Sequence, residues 1–383
     1  MTPAILKGYS LTGKVVLAIL VALTLLGLVT GVYRLFVGLG ETTNLSDTYP
    51  WGLWIGFDFS LIAFSGGAFT LCGIVVILNQ KRCRVIERLV ILTGWLGYVS
   101  VLVILLVDLG RPDRFYNFII YPNVHSPLFE ICWCILLYTT VLTLEFAPAL
   151  FEGLRRPHIA HRIHSFIVPI AILGVMLSTL HQSTLGTLYL AMPVKLHTLW
   201  HSGMLPVFFL ISSIGMGLST AILVTLIAYK AFGRTIPQET VKVLGNLGRF
   251  SVWVWALYLL LKLGDLIVAG QVGDAFALDT QSAWFLLDLA VGAFAPLVLY
   301  ALPRVRGNQS WLAIAALFAI VGTALNRFNA TLTGQAVLEG ASYTPHWIEL
   351  AVQVGVLAGV VLAWYLAARF LPIFETDRQA LQG

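Results

Sequence analysis

A histidine, three carboxylates and a tyrosine fall within or at the ends of long apolar runs of this sequence. An ionised side chain there costs on the order of 2.5–3.5 kcal/mol in a bilayer, so each calls for a reason. His181 stands beside Gln182, with Ser183 and Thr184 following. Asp58 follows WGLWIGF and lies about 10 Å, at helical rise, from the start of its run. Glu130 opens one run, Asp108 closes another, and Tyr98 lies near the middle of the latter. A carboxyl group and a histidine at one depth in an aromatic-rich cavity can bind and protonate a carbonyl oxygen, such as that of a quinone. Imidazole changes protonation near neutral pH. A desolvated carboxyl group delivers a proton instead of repelling electrons. Tyr98 is placed to carry a proton deeper, with Glu145 further along towards the opposite face. No electron carrier is evident.

Ordinary structural readings compete with this chemistry. Glu130 and Glu349 stand where first-turn acids complement a helix N-terminus. Lys262 and Asp265 are three apart and spaced to pair on a helix. Arg111 and Asp113 read as a loop pair, and His181 as a hydrogen bond between two helices. These readings serve Glu349 well. They fail for Asp58, which has no basic neighbour in its run, and for His181 beside Gln182. Asp58, His181 and Glu130 are therefore the leading candidates, with Tyr98, Asp108 and Gln182 beside them.

The elements that must position these residues follow from composition. Of 383 residues, 58% are hydrophobic and 11% charged, against about 25% charged in soluble domains. The mean hydropathy is +0.88. Apolar blocks of about 20 residues match the hydrocarbon core of a bilayer as helices, and the alternating segments of a β-barrel are absent. The sequence predicts an all-α integral membrane protein, a single polytopic domain over 1–383. Its helices are expected near 15–38, 51–78, 88–109, 127–150, 164–188, 201–231, 246–268, 282–302, 309–325 and 346–372. The first is too long for a signal peptide's apolar region and reads as a retained anchor. Of the 23 lysines and arginines, all but Arg34, Arg111, Arg114, Lys195, Lys262 and Arg327 fall on one side. The positive-inside rule places that side, and both termini, in the cytoplasm. The candidate residues then gather towards the opposite face, where the longest loops, 110–126, 268–281 and 326–345, can cap a pocket or dock a partner.

Cys72, Cys83, Cys132 and Cys134 form no metal or disulfide pattern and read as small core residues. The net charge of +5 lacks the dense basic runs of a nucleic-acid binder. Two other chemistries stay open. A b-type haem needs histidines from two helices at matching depth, for which His181 and His201 are the available pair. An ion-coupled transporter also uses deep acids on several helices, and Gly66–Gly67 would mark close packing or a break.

The segments YPWGLWIGFD (49–58), DLGRP (108–112), SPLFE (126–130), LEFAPALFE (144–152), LHQSTLG (180–186) and KLHTLW (195–200) with MLP (204–206) occur in this order. Together they resemble the HybB-type membrane subunits of nickel–iron hydrogenases, within the NrfD and polysulfide-reductase membrane-subunit superfamily. The resemblance is best from about 30 to 220 and holds in outline over the last three helices. It implies a haem-free, metal-free, ten-helix subunit of a bacterial inner membrane, with a site for menaquinone or ubiquinone near the periplasmic face. Electrons would come from a periplasmic iron–sulfur subunit fed by a catalytic subunit. The family's quinone-site and proton-route residues fall on Asp58, Tyr98, Glu130 and His181. The departure lies in the sixth block, where STAILVTLIAYK (219–230) has no inward acid for a proton-pumping route.

Overall fold

The computed structural model describes residues 11–77, 79–192, 195–335 and 342–374. Lys7 and Arg378, counted above on the basic side, and residues 336–341 of one long loop lie outside the described residues. Among the described residues there are 10 helices long and apolar enough to cross a membrane, and no strand. They are α1 (Leu11–Val37), α2 (Leu53–Cys72, continued by a π-helical turn at Gly73–Ile77), α3 (Arg84–Asp108), α4 (Pro127–Gly153) and α5 (Ile167–Leu190). Then follow α6 (Leu205–Ala231), α7 (Gln238–Val268), α8 (Thr280–Ala301, with a π-helical turn at Ala290–Phe294), α9 (Gln309–Thr331) and α10 (Trp347–Phe370).

Hydropathy misplaces two helix ends for an identifiable reason. The α7 helix starts at Gln238, because the polar turn QETVKVLGNLGR continues the helix beyond its apolar part. The α9 helix runs on to Thr331 through Arg327 and Asn329, whose polar side chains find buried partners on neighbouring helices. Apolar content reports what lipid tolerates; it does not report where the backbone stops being helical.

Two four-helix arrangements result. In the first, α2, α3, α4 and α5 pack in sequence and α5 closes back on α2; in the second, α6, α7, α8 and α9 do the same. The arrangements meet where α6 lies against α2 and α5. Gly66 and Gly67 prove to be a close-packing site: a Cβ on Gly217 of α6 would lie 2.5 Å from the backbone of both. Small residues let helix backbones approach where lipid gives no hydrophobic drive. The remaining helices, α1 and α10, pair with each other and lean on α3. Gly27 faces Gly355 and Thr24 faces Gly359, so the two run antiparallel with backbones in contact.

The loops after α1, α3, α5, α7 and α9 share one face, and several are laced into a continuous layer. The Asn44 amide donates to the Thr344 carbonyl (2.8 Å), the Tyr49 hydroxyl to the Leu332 carbonyl (2.5 Å) and Lys195 to the Asp47 carbonyl (2.8 Å). The backbone N–H of His197 donates to Gly334 (2.8 Å). Burial pushes the Tyr49 hydroxyl up to about 12. The opposite face carries the basic loops.

Candidate functional site

The first bundle buries a polar cluster below the loop layer, with a contribution from each helix. Asp58 on α2 is 1% exposed, and Tyr98 on α3 and His181 and Gln182 on α5 are 0% exposed. The Tyr98 hydroxyl and His181 Nδ1 are 3.0 Å apart, a direct hydrogen bond. The Gln182 amide donates to the Ile62 carbonyl (3.0 Å), which tethers α5 to α2 one turn beyond Asp58. Tyr138 of α4 packs edge-on against Tyr98, ring centroids 4.6 Å apart, with Ser178 of α5 beside both.

Several polar atoms of this cluster have no partner among the described residues: both carboxylate oxygens of Asp58, Nε2 of His181 and Oε1 of Gln182. Native interiors pair nearly all such groups, and each exception calls for an explanation. If Tyr98 donates to Nδ1, the imidazole proton sits on Nε2 and lacks an acceptor; the other tautomer leaves Nε2 a free acceptor. In both tautomers one face of the histidine is held by Tyr98 and the other is available.

The remaining candidates stand around the cluster, not in it. Glu130, half-buried at the start of α4, accepts from Thr184 (2.6 Å), three residues beyond His181. Asp108, half-buried at the end of α3, lies within electrostatic reach of Asp58, of Arg34 on α1 and of Glu349 on α10. Glu349 fulfils its structural reading: it forms a capping box with His346 and also accepts from Tyr343. Arg111 and Asp113 form the expected loop pair, with two hydrogen bonds (3.0 and 2.8 Å) that hold Asp113 below the usual carboxylate range. Lys262 and Asp265, spaced to pair, instead take separate partners. Lys262 donates to the Leu199 carbonyl (3.3 Å) and lies over the Phe208 and Phe285 rings, while Asp265 accepts from Ser202 (2.7 Å). Towards the basic face, Glu145 is buried at the floor of a cleft of about 50 Å³ rimmed by Arg84, Glu87, Arg88 and His164. It accepts from the Cys72 thiol (3.5 Å).

Sequence reasoning missed a second buried polar cluster, in the second bundle. Asp288 of α8 accepts from Trp200 (3.3 Å), Asn326 (3.3 Å) and Asn329 (3.1 Å). Arg327 of α9 donates to Asn326 (3.0 Å), Ser212 (2.7 Å) and the Phe209 carbonyl (3.2 Å), its guanidinium 3.5 Å from the Phe209 ring centre. The signal was available: Asp288 is an acid inside an apolar block, and NRFN (326–329) interrupts another. Arg34, 0% exposed on α1, was also passed over as a helix-end charge.

Ten spanning helices, eight of them in two bundles, with ionisable groups converging below one face, define a polytopic membrane protein whose polar interior is built from several helices. The chain belongs to the NrfD family: the model described as "Polysulphide reductase, NrfD" matches residues 41–339, which covers both bundles and leaves out α1 and α10. It is 32% identical over 352 residues to the "Probable Ni/Fe-hydrogenase 2 b-type cytochrome subunit" of Escherichia coli (strain K12), covering 91% of this chain and 89% of that one. It is 29% identical over 375 residues to the "Menaquinone reductase, integral membrane subunit" of Nitratidesulfovibrio vulgaris, covering 91% and 88%. A more distant relative, 21% identical over 92% of this chain and 94% of its own, is a selenate reductase subunit of Mesobacillus selenatarsenatis. These relatives are named as subunits of oxidoreductases, one of them a menaquinone reductase, which is consistent with a redox role for this chain.

Proposed function

We propose that this chain is the haem-free, quinone-reactive subunit of a multi-subunit oxidoreductase of the bacterial inner membrane. The buried Asp58–Tyr98–His181–Gln182 cluster carries the reading, because it combines proton-bearing groups with unpartnered atoms in the interior of one bundle. Two electrons come from an iron–sulfur subunit docked on the loop face, itself fed by a catalytic subunit of hydrogenase type. Two protons come from the chain, so that each quinone carbonyl becomes a hydroxyl. His181 Nε2 and Asp58 hold the head group and give up protons to it; Tyr98 fixes the imidazole and returns a proton to it. Glu130, hydrogen-bonded to α5 through Thr184, connects the cluster to the loop face. Basic loops on the other face support a periplasmic orientation for the site. The N. vulgaris relative's name supports menaquinone as the substrate.

The E. coli relative's name raises a b-type haem. A haem held between two spanning helices needs two histidines. His181 is the chain's one histidine within a spanning helix; His201 lies in the loop before α6. The donor set therefore fits a quinone better.

The experiment is purification of the native complex in mild detergent, with subunit identification, quinone extraction and visible spectra before and after reduction. An iron–sulfur subunit, bound quinone and quinone reduction that disappears in His181→Ala are expected. A reducible b-haem signal lost in that variant would replace this reading with the cytochrome. A chain isolated without redox partner or quinone would reopen the transporter.

A further inference from the structure

A groove runs along the outside of the first bundle between α1, α3 and α10, enclosing about 400 Å³. Its walls are almost wholly apolar, built from residues such as Leu28, Val32, Val103, Val107, Val352 and Val356. The two hydroxyl residues on it are already satisfied, Thr24 by the Leu20 carbonyl (2.7 Å) and Ser100 by the Gly97 carbonyl (2.6 Å). From Thr24 to Leu35 it extends about 16 Å at helical rise, roughly half the depth of a bilayer. At its loop-face end it continues, through Leu35 and Leu106, into an open cavity of about 650 Å³ bordered by Arg34, Arg111 and Asp113.

Arg34 is the anomaly at this junction. One guanidinium nitrogen donates to the Leu109 carbonyl (2.6 Å), while Nε and Nη1 are buried with no partner among the described residues. Asp108 stands within electrostatic reach of Arg34 on one side and of Asp58 on the other. An occupant of groove and junction together has a long tail without polar atoms and a small head that accepts hydrogen bonds. The charges select among such molecules. Arg34 and Asp108 oppose each other, and Arg111 is spent on Asp113, so the four side chains sum to zero. A phosphate would meet two carboxylates there; a neutral carbonyl meets none of that repulsion.

We propose that this groove seats the prenyl tail of the quinone, with Arg34 donating to a carbonyl oxygen of the head group as it passes Asp108 on the way to Asp58 and His181. This rests on the quinone reading above and adds to it the entry side, a head-group donor and a tail site. All three involve α1 or α10, helices outside the family match at 41–339.

Gly31 offers a clean way to fill the groove. A Cβ there would meet Val107 and Val352 at ordinary contact distances (3.9 and 4.0 Å), unlike one at Gly27, which would strike the Gly355 backbone at 2.6 Å. The test uses the intact complex reconstituted in lipid nanodiscs. Quinone reduction is compared for a long-tailed menaquinone and for menadione, which shares its ring but has no tail. Gly31→Leu should raise the long-tailed KM relative to that of menadione by about tenfold or more, about 1.4 kcal/mol of lost tail contact. Arg34→Gln should raise both KM values by about tenfold, the scale of a lost hydrogen bond from a charged donor, with Arg34→Lys between. A tail-bearing photoreactive quinone should label α1 or α10. Equal KM changes for both quinones in Gly31→Leu, or label confined to other helices, would overturn the proposal even if Arg34→Gln failed to fold. Phospholipid retained by the wild type and lost in Arg34→Gln, with unchanged quinone KM values, would assign the groove to a lipid headgroup instead. Wild-type complex that reduces neither quinone would sink the quinone reading itself, whereas normal kinetics in all variants would sink only this one.

Discussion

The two bundles each bury acidic and basic or imidazole side chains at similar positions in four helices, yet they treat them in opposite ways. Around Asp288 and Arg327, three side-chain donors meet one carboxylate oxygen, and the guanidinium is bonded to a hydroxyl, an amide and a carbonyl, with Nε alone left without a partner among the described residues. Around Asp58 and His181, among the described residues, the acid has no partner and the histidine has one. A satisfied polar network fixes a single packing and is costly to disturb. An unsatisfied one lowers stability and persists where something else uses its free atoms. The second bundle thus reads as scaffold and the first as reaction site, although a count of buried charges alone would rank them equally.

The largest expected effect tests the first half of that contrast. Asp58→Asn should lower quinone reduction by about 10²–10⁴-fold, the scale of a lost general acid, while thermal unfolding in detergent shows a stability equal to or above wild type. A clear loss of stability would mean that Asp58 has a structural partner and that the contrast is false. Next comes Asp288→Ala, which strands three donors and the Lys262 charge and should cost about 3–5 kcal/mol. Its surviving folded fraction should keep the wild-type KM for quinone. Gly217→Ala, which pushes a methyl group into Gly66 and Gly67, should destabilise by about 1–3 kcal/mol and weaken the joint between bundles. A smaller effect is expected for Tyr98→Phe, about tenfold on turnover, if the hydroxyl only returns protons to His181. Steady-state kinetics over a pH series separate that from a binding defect. Smallest of all, Lys242→Ala removes an exposed pair with Glu239 on the basic face and should change neither activity nor melting.

Much of this was legible in the chain because lipid imposes a single strong rule. Ten apolar blocks gave ten helices, and the misfits within them gave Asp58, His181 and Gln182, which the fold brings into one interior. What stayed hidden was partnership. Nothing in the spacing of Lys262 and Asp265 reveals that Leu199 and Ser202, from a loop 63 residues earlier in the chain, take them separately. Tyr98 could be placed in mid-helix but not against His181, because the rotation of α3 relative to α5 depends on packing far from either residue. Arg34 entered the sequence reading only as one of the six basic residues off the basic side, and a charge near a helix end normally reaches water. Here it turns inward instead and donates to the Leu109 carbonyl at the end of α3, 75 residues along the chain. Resemblance supplied the redox partners; residue chemistry alone did not.

The antiparallel contact between Gly27 and Gly355 has a consequence for biosynthesis. After α1 leaves the ribosome it receives its mate only when α10 is translated, roughly a quarter of a minute to a minute later at about 5–20 residues per second. During that interval both bundles can form while the first helix stands in lipid with its glycine face bare. The outer wall of the groove is therefore the final part to be assembled. A truncated product lacking residues after 346 would hold two formed bundles and an orphaned anchor, a recognisable target for membrane quality control.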